Sequence, residues 1–526
     1  MLDISPPIAV VFILYLVALI VVGVWVTKRN QTLSDYILGG RNLSSAQAGL
    51  SAGTSDMSGW LLLAFPGAVY VAGLGATWIA IGLAVGTYLN WRLVAPRIRT
   101  YTERADNSLS LSAYLESRFE DSTRILRFVS ALVTLVFFTV YVASGFVAVI
   151  LLFESLVGDH AVAASAAVLV VVVVYTGFGG FHAVSRTHVV QSALMVFALL
   201  ALPLGGLVVI GGFGGLTERI NRESTDLLSL TTGDGYLDGQ WGPGATLGLI
   251  GIVSGLAWGL GYPGQPHILS RFMAIRNPAL IPDARRIGTT WVVTVLLGAT
   301  FIGLLGIAVL DYPLKKPETV FIVVTEALTA PWLTALVLTA ALAAIISTAD
   351  SQLLVSATAL TEDFYRSYLN RKAGDRLLVM VARGMVVLVA IVAYVLALSS
   401  SGSIVEIVSY AWAGFGAAFG PVILLSLFWP RMSWLGALAG IVTGSVTVLT
   451  WQYIDPFDSG IYEMVPGWIL ATIAAVLFGR IGTPPQQNWT GRFGDSTSKD
   501  APQPVPRFVR PGKPTPAPWP GGFGKR

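Results

Sequence analysis

Apolar stretches of about twenty residues recur from the start of this chain to near residue 480, and no other feature narrows its fold so far. At 1.5 Å per residue, twenty helical residues cover the roughly 30 Å hydrocarbon core of a bilayer. Repeated runs of that length predict an all-α integral membrane protein with several crossings. The chain has 526 residues, and only 12% of them are charged. A soluble domain carries about 25%. There is no cysteine, which rules out disulfides, thiolate metal sites and cysteine nucleophiles. The net charge is +4, but the basic residues gather between the apolar runs. That is a topology signal, and no nucleic-acid partner is expected. The first run, from Pro7 to Val26, is too long for a signal-peptide core and has no basic leader, so it is expected to stay as a span.

Length and flanks give about thirteen spans, near 7–27, 46–72, 74–96, 126–154, 161–178, 189–213, 245–269, 287–310, 331–360, 377–399, 404–428, 433–453 and 464–480. Lys28, Arg29 and Arg41 follow span one, and Arg97, Arg99, Arg104, Arg118 and Arg124 follow span three. Arg186 follows span five; Arg271, Arg276, Arg285 and Arg286 follow span seven. Arg366, Arg371, Lys372 and Arg376 follow span nine, and Arg431 follows span eleven. The intervening loops are poor in Lys and Arg, with Lys315 and Lys316 the main exception. By the positive-inside rule the N-terminus lies outside and the C-terminus in the cytoplasm. Residues 481–526 are rich in proline and basic residues and read as a disordered cytoplasmic tail.

Two spans are interrupted. Span two contains Ser51-Ala52-Gly53-Thr54-Ser55-Asp56-Met57-Ser58-Gly59-Trp60. An ionised Asp at membrane depth costs roughly 2.5–3.5 kcal/mol, so it needs a partner. The small residues around it suit backbone that leaves the helix and turns its carbonyls inward, which is tolerable only beside protein or a water-filled cavity. Span seven contains Trp258-Gly259-Leu260-Gly261-Tyr262-Pro263-Gly264-Gln265-Pro266. Each proline there removes a donor and clashes one turn back. The two breaks lie five spans apart, so their helices cross in opposite directions. Broken helices at matching places in two inverted halves mark the binding site of a secondary transporter. The halves would be spans two to six (about 46–213) and seven to eleven (about 245–428). In span nine, Ala344, Ser347 and Thr348 share one face. By rise per residue they reach the depth of Asp56.

Asp35-Tyr36-Ile37-Leu38-Gly39-Gly40-Arg41, then Ser51 to Trp60, Trp258 to Phe272, Ser347-Thr348 and Trp412-Ala413-Gly414-Phe415-Gly416-Ala417-Ala418-Phe419-Gly420-Pro421 resemble the sodium/solute symporter family over roughly residues 8–480. The resemblance implies a thirteen-span, LeuT-type 5+5 inverted-repeat fold in the cell membrane and sodium-coupled uptake of L-proline by alternating access. It implies that backbone oxygens of Thr54, Met57 and Ala344 and the hydroxyls of Ser347 and Thr348 hold sodium. It assigns Ser55, Ser58, Trp60, Tyr141, Trp258, Tyr262 and Pro266 to proline, and Arg41 and Asp56 to coupling. No further cofactor is implied.

The chemistry of these residues agrees. Sodium is a hard ion suited to several neutral oxygens. Amides freed at a helix break can receive a carboxylate, and Trp and Tyr can cover an apolar ring and its cation. One residue departs from the family pattern. Where the family usually carries an acidic residue after span five, this chain has His188 within Ser185-Arg186-Thr187-His188. Asp350 is the carboxylate that would take over its part in sodium release. Another small solute (a different amino acid, pantothenate or a sugar), a proton as coupling ion, and a transporter-like sensor stay open as alternatives. No nucleophile–base pair, phosphate loop or metal-ligand spacing points to an enzyme.

Overall fold

The computed structural model describes residues 5–486, apart from 106, 234, 238, 243, 245, 311 and 456–458. The expected tail falls almost wholly outside the described residues.

Helical structure covers each of the expected spans. Spans one and eight to thirteen correspond to Pro6–Val26, Ile281–Val309, Pro331–Thr358, Asp375–Ser399, Ile404–Phe428, Trp434–Ile454 and Met464–Ile481. Among the described residues, nine continuous helical stretches are long and apolar enough to cross a membrane. Fusion accounts for the difference from the expected number. One stretch runs from Ile125 to Ile210 over 86 residues, or roughly 130 Å of helix, several times the bilayer core. It folds back at Gly158, where φ is +54°, so that Ile125–Val157 packs against Ala161–Ile210. A second stretch, Trp60–Arg104, joins the second half of span two to span three. Span seven is interrupted and too short to be counted, its apolar part being Leu249–Gly264.

Two expectations need correction here. The segment between spans five and six was expected to be a short loop. It is helix, kinked at Gly180, which takes φ 56° and ψ −162°. The glycine permits that conformation, and Tyr36 packs so close that a Cβ there would lie 2.7 Å from its ring. His188 consequently sits inside the protein with no exposed surface. The second concerns Arg271 and Arg118, which were counted among the loop charges. Both are buried in short helices, Pro266–Met273 and Leu111–Phe119. Arg118 donates to the backbone of Ser426 and Trp429 at the end of span eleven, 2.9 and 3.3 Å away.

Burial orders the helices into centre and rim. Span nine and span eleven each have 83% of their most apolar window buried, against 22% for span one and 28% for span thirteen. An apolar helix buried all round belongs to the protein core, whereas one exposed along an apolar face meets lipid. Span nine packs against spans one and four and against the helix Ala161–Ile210, and so forms one wall of the site.

Both predicted breaks are present. The first helix of span two, Ser45–Thr54, starts at a capping box in which Ser44 and Gln47 satisfy each other's backbone amides. It stops at Thr54, and the chain resumes at Trp60–Ala64 in a wider π winding before Phe65–Ala72. Span seven runs as Leu249–Ala257, tightens to a 3-10 turn over Trp258–Gly264, becomes extended at Gln265 and restarts at Pro266–Met273. Pro266 stands at the first helical position, where its missing amide hydrogen costs nothing. Span three lies directly on this break. A Cβ on Gly259 would stand 2.2 Å from the carbonyl oxygen of Gly82, so only glycine lets the two backbones touch.

Candidate functional site

In span two the regular bonding pattern ends at Gly53, whose carbonyl accepts from both Asp56 and Met57 at 3.1 and 3.0 Å. The carbonyl of Thr54 is thereby released from its helix and turns to span nine. Ser347 Oγ donates to it at 3.0 Å, and Thr348 Oγ1 lies 3.5 Å away. Ser347 Oγ also reaches the carbonyl of Ala344 at 2.9 Å. Thr54, Ala344 and Ser347 have no exposed surface, and Thr348 has 2%. Four of the five expected sodium ligands therefore converge on one point between the broken helix and the rigid one. The fifth, Met57, is buried in the same break. The donor set is two carbonyls and two hydroxyls, all uncharged, which fits a hard monovalent cation that must later leave.

Asp56 was expected to meet span nine. It does not. Two residues past Thr54 in unwound backbone, its carboxylate faces the other way, and Oδ2 accepts from Tyr262 of span seven at 2.7 Å. Oδ1 is buried without a partner. The main chain of Asp56 accepts from the Trp60 indole at 3.2 Å. The two breaks are thus bonded to each other, with the carboxylate of one held by the phenol of the other.

Aromatic rings enclose this junction. Trp60 and Trp258 stand 6.0 Å apart, Tyr262 meets Trp412 edge-on at 5.2 Å, and the Trp412 indole donates to the carbonyl of Trp258 at 2.8 Å. Tyr141, from span four, is buried with its hydroxyl unpartnered and points its ring at His267. Both ring nitrogens of His267 and the side-chain Oε1 of Gln265 are likewise buried without partners. A buried polar group without a partner calls for an explanation, and a ligand at this junction would give one for these. Ser55 and Ser58 turn to their own segment: Ser55 Oγ donates to the Ala52 carbonyl at 3.0 Å, and Ser58 Oγ accepts from the Trp60 amide at 3.3 Å. Tyr462, which no sequence motif flagged, stacks on Trp258 at 5.6 Å from the chain just before span thirteen.

One helical turn further along span nine lies a closed ring of buried polar groups. His188 Nε2 meets Asp350 Oδ1 at 3.1 Å, and its Nδ1 meets Ser51 Oγ at 2.8 Å. Ser351 Oγ also reaches Asp350, at 3.0 Å. Arg271 closes the ring, with Nη2 at 2.5 Å from Ser351 Oγ and Nε at 3.4 Å from Ser51 Oγ. The ring joins spans two, six, seven and nine. Ser351 ties it to the cation cradle by donating to the carbonyl of Ser347 at 2.8 Å. The Asp350 carboxylate thus reaches position 188 from across the bundle and meets the imidazole there. Arg271 is the residue the sequence reading missed. The only signal was its place five residues after Pro266, inside rather than beyond the restarted helix.

Arg41 acts at a distance from the rings. It is buried, and donates to Asn107 Oδ1 at 2.8 Å, to the Ser108 carbonyl at 2.8 Å and to the Met273 carbonyl at 2.7 Å. Leu43 beside it exchanges backbone bonds with Ala274 and Arg276 at 3.0 Å each. The segment after span one is in this way fastened to the C-terminal end of broken span seven.

Comparison with known proteins agrees with this geometry. The profile of the sodium:solute symporter family matches residues 36–444. The chain belongs to the sodium:solute symporter family. It is 44% identical over 500 residues to the sodium/proline symporter of Escherichia coli strain K12, covering 94% of this chain and 97% of that one. It is 45% identical over 480 residues to the high-affinity proline transporter PutP of Bacillus subtilis strain 168, covering 91% and 98%. Among solved structures, a sodium-coupled sialic acid symporter in a substrate-bound outward-open state superposes with TM-score 0.77 at 18% identity, covering 92% of this chain and 99% of that one. A nucleobase-cation-symport-1 family transporter in a closed conformation gives 0.53 at 15%, covering 85% and 94%. Family membership and these likenesses fix the fold as the LeuT type.

Proposed function

We propose that this family member is a sodium-coupled symporter that imports L-proline by alternating access. The observation that carries the reading is the meeting of the Thr54 and Ala344 carbonyls with the Ser347 and Thr348 hydroxyls across the break in span two. Sodium in this cradle would fix the broken helix to the static wall of span nine. That same segment holds Asp56 against Tyr262, so filling the cradle orders the junction where the solute binds. A ligand shifts a conformational balance only by its unequal affinity for the two states. Here the inequality arises because the cradle is complete only when span two lies against span nine.

The proline reading rests on the high identity to proteins named as proline transporters, together with the site's chemistry. Trp60 and Trp258 suit an apolar ring, Tyr141 and Tyr262 offer hydroxyls for orientation, and Pro266 ends the break. Ser55 and Ser58 stay in this set through backbone placement. Arg41 and Asp350 belong to coupling: one braces span seven, and the other anchors the ring beneath the cradle. The arginine-rich end is assigned to the cytoplasm and the N-terminus to the outside, with 46–213 and 245–428 as the inverted halves.

The driving force suffices. A potential of 100 mV supplies about 2.3 kcal/mol per charge, and a tenfold sodium gradient about 1.4 kcal/mol more. At one sodium per solute this sustains roughly 500-fold accumulation. The test is labelled proline uptake into vesicles with an inward sodium gradient against sodium-free vesicles. Uptake that persists without sodium and follows pH replaces sodium by the proton. Competition by another solute at lower concentration than proline replaces the substrate.

A further inference from the structure

Two cavities lie in line beyond the restarted helix of span seven. The inner one is lined by Pro266, Ser270, Arg271, Thr358, Ser110 and Asp363, and holds about 30 Å³. That is room for a water or two, not for an amino acid. The outer one is a wide vestibule of about 610 Å³, lined by Arg124, Arg127, Glu362, Arg366, Arg371 and Asp375 among others. Leu109 lines both.

A knot of charge separates them. Asp363 Oδ1 accepts from Ser110 Oγ at 2.7 Å and from Arg127 Nε at 2.9 Å. Arg127 reaches Glu116 at 2.9 Å and Glu362 at 3.2 Å with its other nitrogens. Arg366 and Arg124 flank these glutamates, at 3.0 Å from Glu362 and 3.6 Å from Glu116. The side chain of Asp363 is 1% exposed and that of Arg127 12%. Three separate elements meet here. Ser110 caps the helix Leu111–Phe119, Arg127 lies in the first turn of span four, and Asp363 sits in the π-wound Ala359–Leu369 that continues span nine. π windings within helices often mark functional positions. This one lies on the same helix as Ser347 and Thr348.

We propose that Arg127 and Asp363 form the inner gate of the release path, and that parting of their pair in each cycle widens the small inner chamber into the vestibule so that a small zwitterionic solute can leave. The proposal rests on the transport reading above. Asp363 is the hinge partner most easily neutralised, because Arg127 keeps Glu116 and Glu362 when Asp363 is lost.

The chain has no cysteine, so one introduced thiol reports alone. Thr358→Cys places it on the chamber wall, and Ser117→Cys places it in the vestibule. A sulfonated maleimide is applied to inside-out vesicles. With the gate intact, the Thr358→Cys thiol should react slowly and the Ser117→Cys thiol quickly. Adding Asp363→Asn or Arg127→Gln should speed reaction of the chamber thiol at least tenfold and leave the vestibule thiol within twofold. Chamber labelling that stays within twofold in both variants overturns the gate. An equal rise at both thiols marks general loosening and overturns it too. Proline uptake by the unaltered chain in right-side-out vesicles of the same preparation tests transport separately. No uptake there fails the transport reading, whereas intact uptake with flat chamber labelling fails the gate alone.

Discussion

Ser347→Ala removes the one hydroxyl that touches both carbonyls of the cation cradle, 3.0 Å from Thr54 O and 2.9 Å from Ala344 O. Nothing charged is lost, and the hydrogen bonds themselves contribute only about 1 kcal/mol to folding. The protein should therefore still reach the membrane in normal amount. The bound ion fares differently. An interaction between a polar group and a charge is worth about 1.5–3 kcal/mol, and Ser347 supplies one of about five or six oxygens around sodium. Losing it should raise the half-saturating sodium concentration for proline uptake by about tenfold to 150-fold. Thr348 Oγ1, at 3.5 Å from Thr54 O, remains and limits the damage. The assay is a sodium titration of initial uptake rates in vesicles, at fixed proline and fixed potential. At saturating sodium the apparent proline affinity should return to its parental value, because the hydroxyl serves the ion and not the solute. A half-saturating concentration within twofold of the parent, in both Ser347→Ala and Thr348→Ala, would show that sodium does not bind between spans two and nine.

Asp350→Ala strips the ring of its carboxylate and leaves the Arg271 guanidinium buried and uncompensated, which should cost about 3–5 kcal/mol; a clear fall in melting temperature in detergent is expected, and an unchanged one refutes the charge-balancing role. His188→Asp sets a second carboxylate beside the first, close under the cradle, and should change the half-saturating sodium concentration several-fold towards tighter binding; unchanged sodium affinity in this variant and in Asp350→Ala ends the idea that Asp350 serves sodium release. Tyr262→Phe removes the side-chain donor on Asp56 Oδ2, a loss of about 1–3 kcal/mol, and should depress uptake while the protein stays in the membrane. Gly259→Ala drives a methyl to 2.2 Å from Gly82 O, so spans three and seven must separate at a cost of about 1–3 kcal/mol; wild-type uptake by this variant would deny that the close approach matters.

Local chemistry made the framework legible. Apolar length located the long spans, and glycine and proline located the breaks at Thr54–Trp60 and Trp258–Pro266, because those residues act on the backbone where they stand. Partners across the bundle were not legible. Asp56 carries no mark in sequence saying that Tyr262, 206 residues away, will hold it. Arg271 looks like any arginine ending an apolar run, and its burial follows only from Ser51, Ser351 and Asp350 arriving from other helices. Apolar length closed span five near residue 178 and left Gly180 in a connecting segment. Here that glycine bends a helix and carries His188 inward. The identity of the five expected sodium ligands came from resemblance, whereas polarity and depth alone gave only the two clusters.

The stacking of Tyr462 on Trp258 gives the last two helices a stake in what the protein recognises. They lie at the rim, mostly facing lipid, and connectivity alone would class them as appendages outside the paired halves. Their phenol nevertheless roofs the indole beside the solute junction, anchored by its hydroxyl to Ser409 at 2.8 Å. A chimera that exchanges this terminal hairpin between relatives with different cargoes would swap part of the cover over that junction. Solute preference in this architecture is therefore open to change from its periphery, without disturbing the ion cradle at its centre.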